Sequence, residues 1–229
     1  MLKPIHAARC HRQRGMTLVE LLVGIAVGMF VLAGATLLLS TQLGDNRRLL
    51  LETQLQQDLR ASMDIMTREL RRAGSTTLAA SNVWQPSLGL PTQNVLAPIT
   101  VAEGGEEITF QYLREGARQG PWGFRLNGGR IQSLVGASGW QELTDRGVME
   151  VTAFEVAEEA AVAEQVPCPK ACSADPLDTA CWPTLTVRTY TITIEARSNL
   201  DNAVRRSQSS RVRVRNDVLG FNGAEVCPA

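Results

Sequence analysis

The sequence predicts an α+β fold, with one long N-terminal helix leading into a C-terminal antiparallel sheet. Three observations carry the expectation. Residues Met16 to Leu39 are uncharged apart from Glu20, and an amphipathic stripe then continues to Leu70. From Ile108 onward the texture changes to short alternating segments, with Asn127-Gly128-Gly129 as a strong hairpin signal. Leu185–Ala196 (LTVRTYTITIEA) alternates apolar and polar residues, and Arg211–Arg215 (RVRVR) pairs with it across the turn region Asn199–Ala203. The chain therefore divides into a basic leader (1–15), a membrane-length helix (16–44), its amphipathic continuation (45–74) and a β-rich domain with a cysteine loop (75–229).

The leader carries Lys3, Arg9, Arg12 and Arg14 and ends in Gly15. At about 1.5 Å per residue, a helix over Met16–Leu39 is ~36 Å long, enough to cross a bilayer. The basic flank places its N-terminus on the cytoplasmic side. A carboxylate in such a helix costs about 2.5–3.5 kcal/mol on insertion scales unless it finds a partner, so Glu20 asks for a functional reason. Gly24 and Gly28 form a G-x-x-x-G pair, common in apolar spans and without weight by itself. Beyond Gly44-Asp45, Leu51, Leu55, Leu59, Met63, Met66 and Leu70 recur at helical spacing, with Arg47, Arg48, Glu52, Asp58, Arg60, Arg68, Arg71 and Arg72 on the polar faces. Gly74 and Ser75-Thr76-Thr77 give a stop signal. A helix over Met16–Arg72 is about 85 Å long, and a helix of that length needs packing. The stripe over 51–70 reads as core laid across the sheet.

Residues 75–105 read as a loop-rich connection. Ile108–Leu113, Gly123–Leu126, Arg130–Leu134 and Val148–Val156 read as strands. Residues 157–183 hold an acidic stretch and the cysteine loop, punctuated by Pro167, Pro169, Pro176 and Pro183.

Composition narrows the chemistry. The 229 residues suffice for one folded domain behind the helix. Charge is balanced at 23 basic and 23 acidic residues, but the leader holds four of the basic ones and none of the acidic, leaving an acidic excess beyond it. That is no general nucleic-acid footprint. Both histidines, His6 and His11, lie in the leader, so residues 16–229 exclude every scheme that needs histidine as base or ligand. Besides Cys10 in the leader, the chain has Cys168, Cys172, Cys181 and Cys227. Beyond a spanning helix they suggest two disulfides in an oxidising compartment. A four-thiolate zinc site is the alternative, but C-x3-C-x8-C with a distant fourth cysteine lacks its paired spacing. Three disulfide pairings stay open. No metal and no cofactor is expected.

The run Arg14-Gly15-Met16-Thr17-Leu18-Val19-Glu20-Leu21-Leu22 resembles the class III signal of type IV prepilins, with methionine where phenylalanine is usual. The resemblance implies cleavage by prepilin peptidase between Gly15 and Met16, N-methylation of Met16, and pairing of Glu20 with the terminal amine of a neighbouring subunit. It also implies the pilin fold for the whole chain. Leu59-Arg60-Ala61, Leu70-Arg71-Arg72-Ala73-Gly74 and the closing Val214-Arg215-Asn216 are similar to the PilW type of minor pilin. Such a protein sits in the inner membrane before assembly, then in the periplasm and pilus, and contacts other minor pilins and the major pilin while priming assembly. It is not an enzyme. The alternatives are a minor pseudopilin of a type II secretion system, and a membrane-anchored or secreted periplasmic binding domain. The last would use an ordinary signal cleaved after Ala33-Gly34-Ala35, which leaves Glu20 unexplained.

Other tempting features read as ordinary surface. Arg205, Arg206, Arg211, Arg213 and Arg215 offer a phosphate-binding face for nucleic acid, but the valines between the last three imply a solvated strand face. Glu155, Glu158, Glu159 and Glu164 lack the loop chemistry of a calcium site. Gly104-Gly105 and Gly128-Gly129 are not followed by Lys-Ser/Thr, so no phosphate loop is present. Trp84, Trp122, Trp140 and Trp182 are scattered and read as packing residues.

Overall fold

The computed structural model describes residues 15–76, 94–114, 117–118 and 120–220. Helix α1 runs from Leu18 to Arg71, 54 residues without a break. It ends where expected. Gly74 takes φ +74°, the left-handed conformation that β-carbon-bearing residues resist, and its N–H donates to Gln111 O at 2.8 Å. The Asn94 and Asn216 amides donate to Gly74 O and Ala73 O, satisfying carbonyls that the helix end leaves open.

The chain folds as two compact units, 1–47 and 48–229. In the second, the first strands form an antiparallel sheet in the order β1-β2-β5-β6-β7. These are β1 (Ile99–Val101), β2 (Glu107–Phe110), β5 (Trp122–Asn127), β6 (Arg130–Val135) and β7 (Trp140–Glu142). A small hairpin, β3 (Leu113–Arg114) and β4 (Ala117–Arg118), stands apart from them. Asn127 faces Arg130 across Gly128 and Gly129, both at positive φ, as a tight hairpin turn requires.

A second antiparallel sheet has β11 (Thr189–Ser198) between β8 (Met149–Glu158) and β12 (Arg205–Arg213). Tyr190, Ile192, Ile194 and Ala196 of β11 point inward. They meet Leu55, Leu59, Met63, Met66 and Leu70 of α1, together with Ile108, Phe110, Phe124, Ile131, Val151, Phe154 and Val156, in one continuous core. The helical stripe read from the sequence is thus core. A third sheet joins β9 (Val162–Gln165), β10 (Thr184–Val187) and β13 (Val218–Gly220) in the order β13-β10-β9.

The architecture is the α+β pilin-like one expected, but strand bounds moved. The run Leu185–Ala196 is two strands, broken at Arg188. That side chain is buried and donates to Ala97 O at 2.7 Å and to Asn216 O at 3.2 Å, while its carbonyl accepts from Val214 N–H. A buried guanidinium needs such acceptors, and reaching them costs the strand its continuity. The partner strand begins at Arg205, earlier than Arg211, because all nine of its residues find register on β11. β1 lies inside the stretch read as loop, and β9 inside the acidic stretch.

Candidate processing and assembly site

Gly15, Met16 and Thr17 precede the helix in non-helical backbone and are exposed. The peptide bond between Gly15 and Met16 is therefore not locked in a helical ladder, as a peptidase requires of its substrate. Thr17 caps the helix: its hydroxyl accepts the Glu20 N–H at 3.2 Å. Thr17-Leu18-Val19-Glu20 has the T-x-x-E spacing of a capping box, a signal that the sequence reading passed over. Glu20 lies in the first turn, where the helix dipole favours a carboxylate. The Thr17 cap engages the backbone of Glu20, so its carboxylate is not used by the cap and, among the described residues, has no hydrogen-bond or ion-pair partner.

Every residue from Gly15 to Leu50 is exposed. The large apolar side chains among them include Phe30 at 82% exposure. Such a surface is stable in hydrocarbon or within a bundle of apolar helices, not in water. The few hydroxyls suit that setting. Thr36 donates to Leu32 O and Ala33 O, Ser40 to Leu37 O, and Thr41 to Leu37 O and Leu38 O. The hydroxyl protons of Thr36, Ser40 and Thr41 are thus satisfied within the helix itself, without water.

The cysteine loop is a second candidate. Cys172 and Cys181 form a disulfide, with Cα atoms 5.6 Å apart. Cys168 is also disulfide-bonded, and Cys227 lies outside the described residues, as do Trp84 and residues 1–14 with Cys10, His6 and His11. With Cys168, Cys172 and Cys181 all in disulfides, the four-thiolate zinc alternative is displaced. Hydrogen bonds brace the loop: Cys172 N–H to Asp178 O, the Gln165 amide to Thr179 O, the Thr179 hydroxyl back to the Gln165 amide oxygen, and the Trp182 indole to Lys170 O. The Asp178 carboxyl is held below the usual carboxylate range by the Ala180 N–H and the Ser173 hydroxyl.

Three of the four arginines of β12 are paired with carboxylates, while Arg205 donates to Asn202 O at 3.4 Å. Glu159 grips Arg211, Asp217 meets Arg213 at 3.0 Å, and Glu52 of the helix meets Arg206 at 2.5 Å. The Arg211 guanidinium, helped by the Thr191 hydroxyl, holds the Glu159 carboxyl below its ordinary range. Val212 and Val214 are fully buried between these cations. Glu155 and Glu158 stand exposed on β8 and Glu164 on β9, and among the described residues no cluster of three acidic or thiol side chains is placed to hold a metal. Trp122 is buried, stacked on Tyr112 at 5.1 Å, and Arg125 lies 4.2 Å above Trp140.

Comparison with known families settles the class. Residues 10–36 match the prokaryotic N-terminal methylation motif, and residues 48–214 match the model of prepilin peptidase-dependent protein B. The chain belongs to that family. No curated protein and no solved structure matches it. The motif match covers Gly15, Met16 and Glu20, and the family match covers the core helix and nearly all of the sheets. This prepilin is thus a pilin- or pseudopilin-type protein that depends on prepilin peptidase. Its apolar helix and methylation motif are compatible with a membrane anchor before processing.

Proposed function

We propose that this prepilin is a minor pilin of a type IV pilus, of the PilW type, which primes filament assembly together with other minor pilins and the major pilin. One observation carries the reading. A helix exposed and apolar on all sides has a single charged residue between Met16 and Gly44, and that residue lies in its first turn, directly after an exposed Gly15–Met16 bond. Cleavage there creates a positive terminus four residues from Glu20. Neither charge is tolerable alone among apolar helices, so each sets the axial register of the neighbouring subunit by meeting the other's opposite charge.

The mechanism is non-covalent. The unprocessed chain waits in the inner membrane with its N-terminus in the cytoplasm and its β-rich unit in the periplasm. After cleavage and methylation of Met16, the helix exchanges lipid for the apolar flanks of other subunits. The protein acts by assembly, not by catalysis, and residues 16–229 contain no histidine to serve as a base.

The test is the mass and N-terminal sequence of the protein recovered from sheared surface filaments. A chain beginning with N-methylated Met16 in that fraction supports the reading. Recovery only with the secretion machinery transfers the protein to a type II pseudopilus. A start near Thr36, or an intact Met1, removes the pilin assignment.

A further inference from the structure

We propose that the loop closed by Cys172 and Cys181 is a docking knob, with Leu177 as its apolar anchor, for a neighbouring protein subunit that offers an apolar socket rimmed by basic side chains. The inference rests on the filament reading only for where that partner is met. Leu177 is 85% exposed, more than any other large apolar residue among those described, the bare helix included. Single exposed leucines are common on protein surfaces and need no partner. What sets this one apart is the framework beneath it.

Leu177 sits at the tip of a loop that is fixed from both ends and from inside. The Cys172–Cys181 disulfide closes it over a sequence separation of 9, and Cys168 at its base is tied by another. Asp175 O accepts from Asp178 N–H at 3.1 Å, and the Asp175 carboxylate accepts from Leu177 N–H at 3.0 Å. The Asp178 carboxylate accepts from Ala180 N–H at 3.1 Å, and Cys172 Sγ from Cys181 N–H at 2.8 Å. Gln165 of β9 clasps Thr179 in both directions. Ordering a flexible loop at an interface is a principal cost of binding, and here the disulfide and the hydrogen bonds reduce that cost in advance. A rigid apolar side chain within a polar ring is the form that interface anchors take.

Charge selects the kind of surface. Asp175 and Asp178 flank the anchor, and Lys170 is the only cation between Cys168 and Trp182. An anionic lipid surface or a nucleic acid is repelled by this tip, whereas a protein socket with lysine or arginine at its rim is attracted.

The test uses the full-length chain in its own cells. Leu177→Asp is expected to lower the amount recovered in sheared filaments by about tenfold or more, the scale of losing one buried leucine. Leu177→Met is expected to match the wild type. Asp175→Asn, which keeps the bond to Leu177 N–H but removes the charge, is expected to fall between them. Processing at Met16, the Cys172–Cys181 bond and the melting temperature in detergent should be unchanged in all three. A photo-crosslinking residue at position 177 should yield one adduct, with a different exported subunit, on a peptide that carries basic residues. Wild-type recovery of Leu177→Asp overturns the proposal, as does an adduct with lipid or with a second copy of this chain. Should Leu177→Asp melt early, Asp175→Asn and the adduct decide. If the wild type never enters filaments, the functional reading fails instead, and the adduct in the membrane fraction still judges the knob.

Discussion

One helix carries two unlike surfaces. Between Gly15 and Leu50 every side chain is exposed, although most are apolar. Further on, Leu55, Leu59, Met63, Met66 and Leu70 recur on a single stripe and are buried to within 2% of completely. Apolar content does not separate the two halves, but its distribution around the helix does. The first half is apolar on all sides, so no single protein face could cover it. The second has one apolar stripe and charged flanks, so one sheet suffices. A hydrophobic segment thus has its partner chosen by how many directions need cover.

The sharpest way to break that comparison is Glu20→Ala. The Thr17 cap uses the backbone N–H of residue 20, which alanine retains, so helix and export should be untouched. Assembly should be lost almost entirely, because stranding one member of a buried ion pair costs about 3–5 kcal/mol. Immunoblots of sheared filaments and membranes measure both at once. Thr17→Ala gives the converse, a weakened cap with the carboxylate intact. Equal incorporation of Glu20→Ala and wild type would reduce Glu20 to a residue of the helix start.

Next comes the matched pair Leu59→Ala and Leu22→Ala. The first removes a side chain from the core and should cost about 2–5 kcal/mol in thermal or denaturant unfolding of the detergent-solubilised chain. The second should change that stability by less than about 0.5 kcal/mol. A comparable loss from both would mean that the halves are not energetically distinct.

The cysteine loop sharpens the contrast within the β-rich unit. Replacing both Cys172 and Cys181 by serine should cost about 2–3 kcal/mol, the scale for closing a loop of about ten residues. Reduction of the wild type should reproduce part of that loss, and unfolding curves with and without reductant provide the comparison.

The smallest effect is at high pH. Burial, followed by the neighbouring Glu69 carboxylate that its hydroxyl contacts at 2.5 Å, pushes Tyr112 up to about 12. Burial, followed by Glu158, does the same for Tyr190. Both phenols keep their protons in the folded chain at a pH where the unfolded chain has begun to release them. The stabilisation is therefore complete below about pH 10, the ordinary tyrosine value, and is lost as pH rises towards about 12. Tyr112→Phe should flatten the fall in melting temperature across that window. An unchanged slope would assign the alkaline limb to other groups.

Much of the fold was legible because its signals are periodic or conformational. The helical stripe needs a period near 3.6, the Asn127-Gly128-Gly129 turn needs positive φ, and Gly74 ends a helix for the same reason. Short strands such as β1, β9 and β13, each three or four residues long, lack enough periods to show. The site divides similarly. Gly15, Met16 and Glu20 are set by local spacing, and so is the Thr17 cap, whose T-x-x-E signal lay in plain view. The pairing of Cys172 with Cys181 is not, since four cysteines allow three arrangements.

What the sequence by itself determined is whatever depends on neighbours along the chain: the apolar span with its single charge, the amphipathic stripe, the tight turns and the absence of histidine from residues 16–229. Only the tertiary structure decided the rest. It broke the longest predicted strand at Arg188, because acceptors at Ala97 and Asn216 lie far away in the chain. It paired Arg206, Arg211 and Arg213 of β12 with Glu52, Glu159 and Asp217, and it left Leu177 exposed on a cross-linked loop. Ion pairs, buried cations and exposed anchors depend on which distant residues meet, and linear spacing does not encode that meeting.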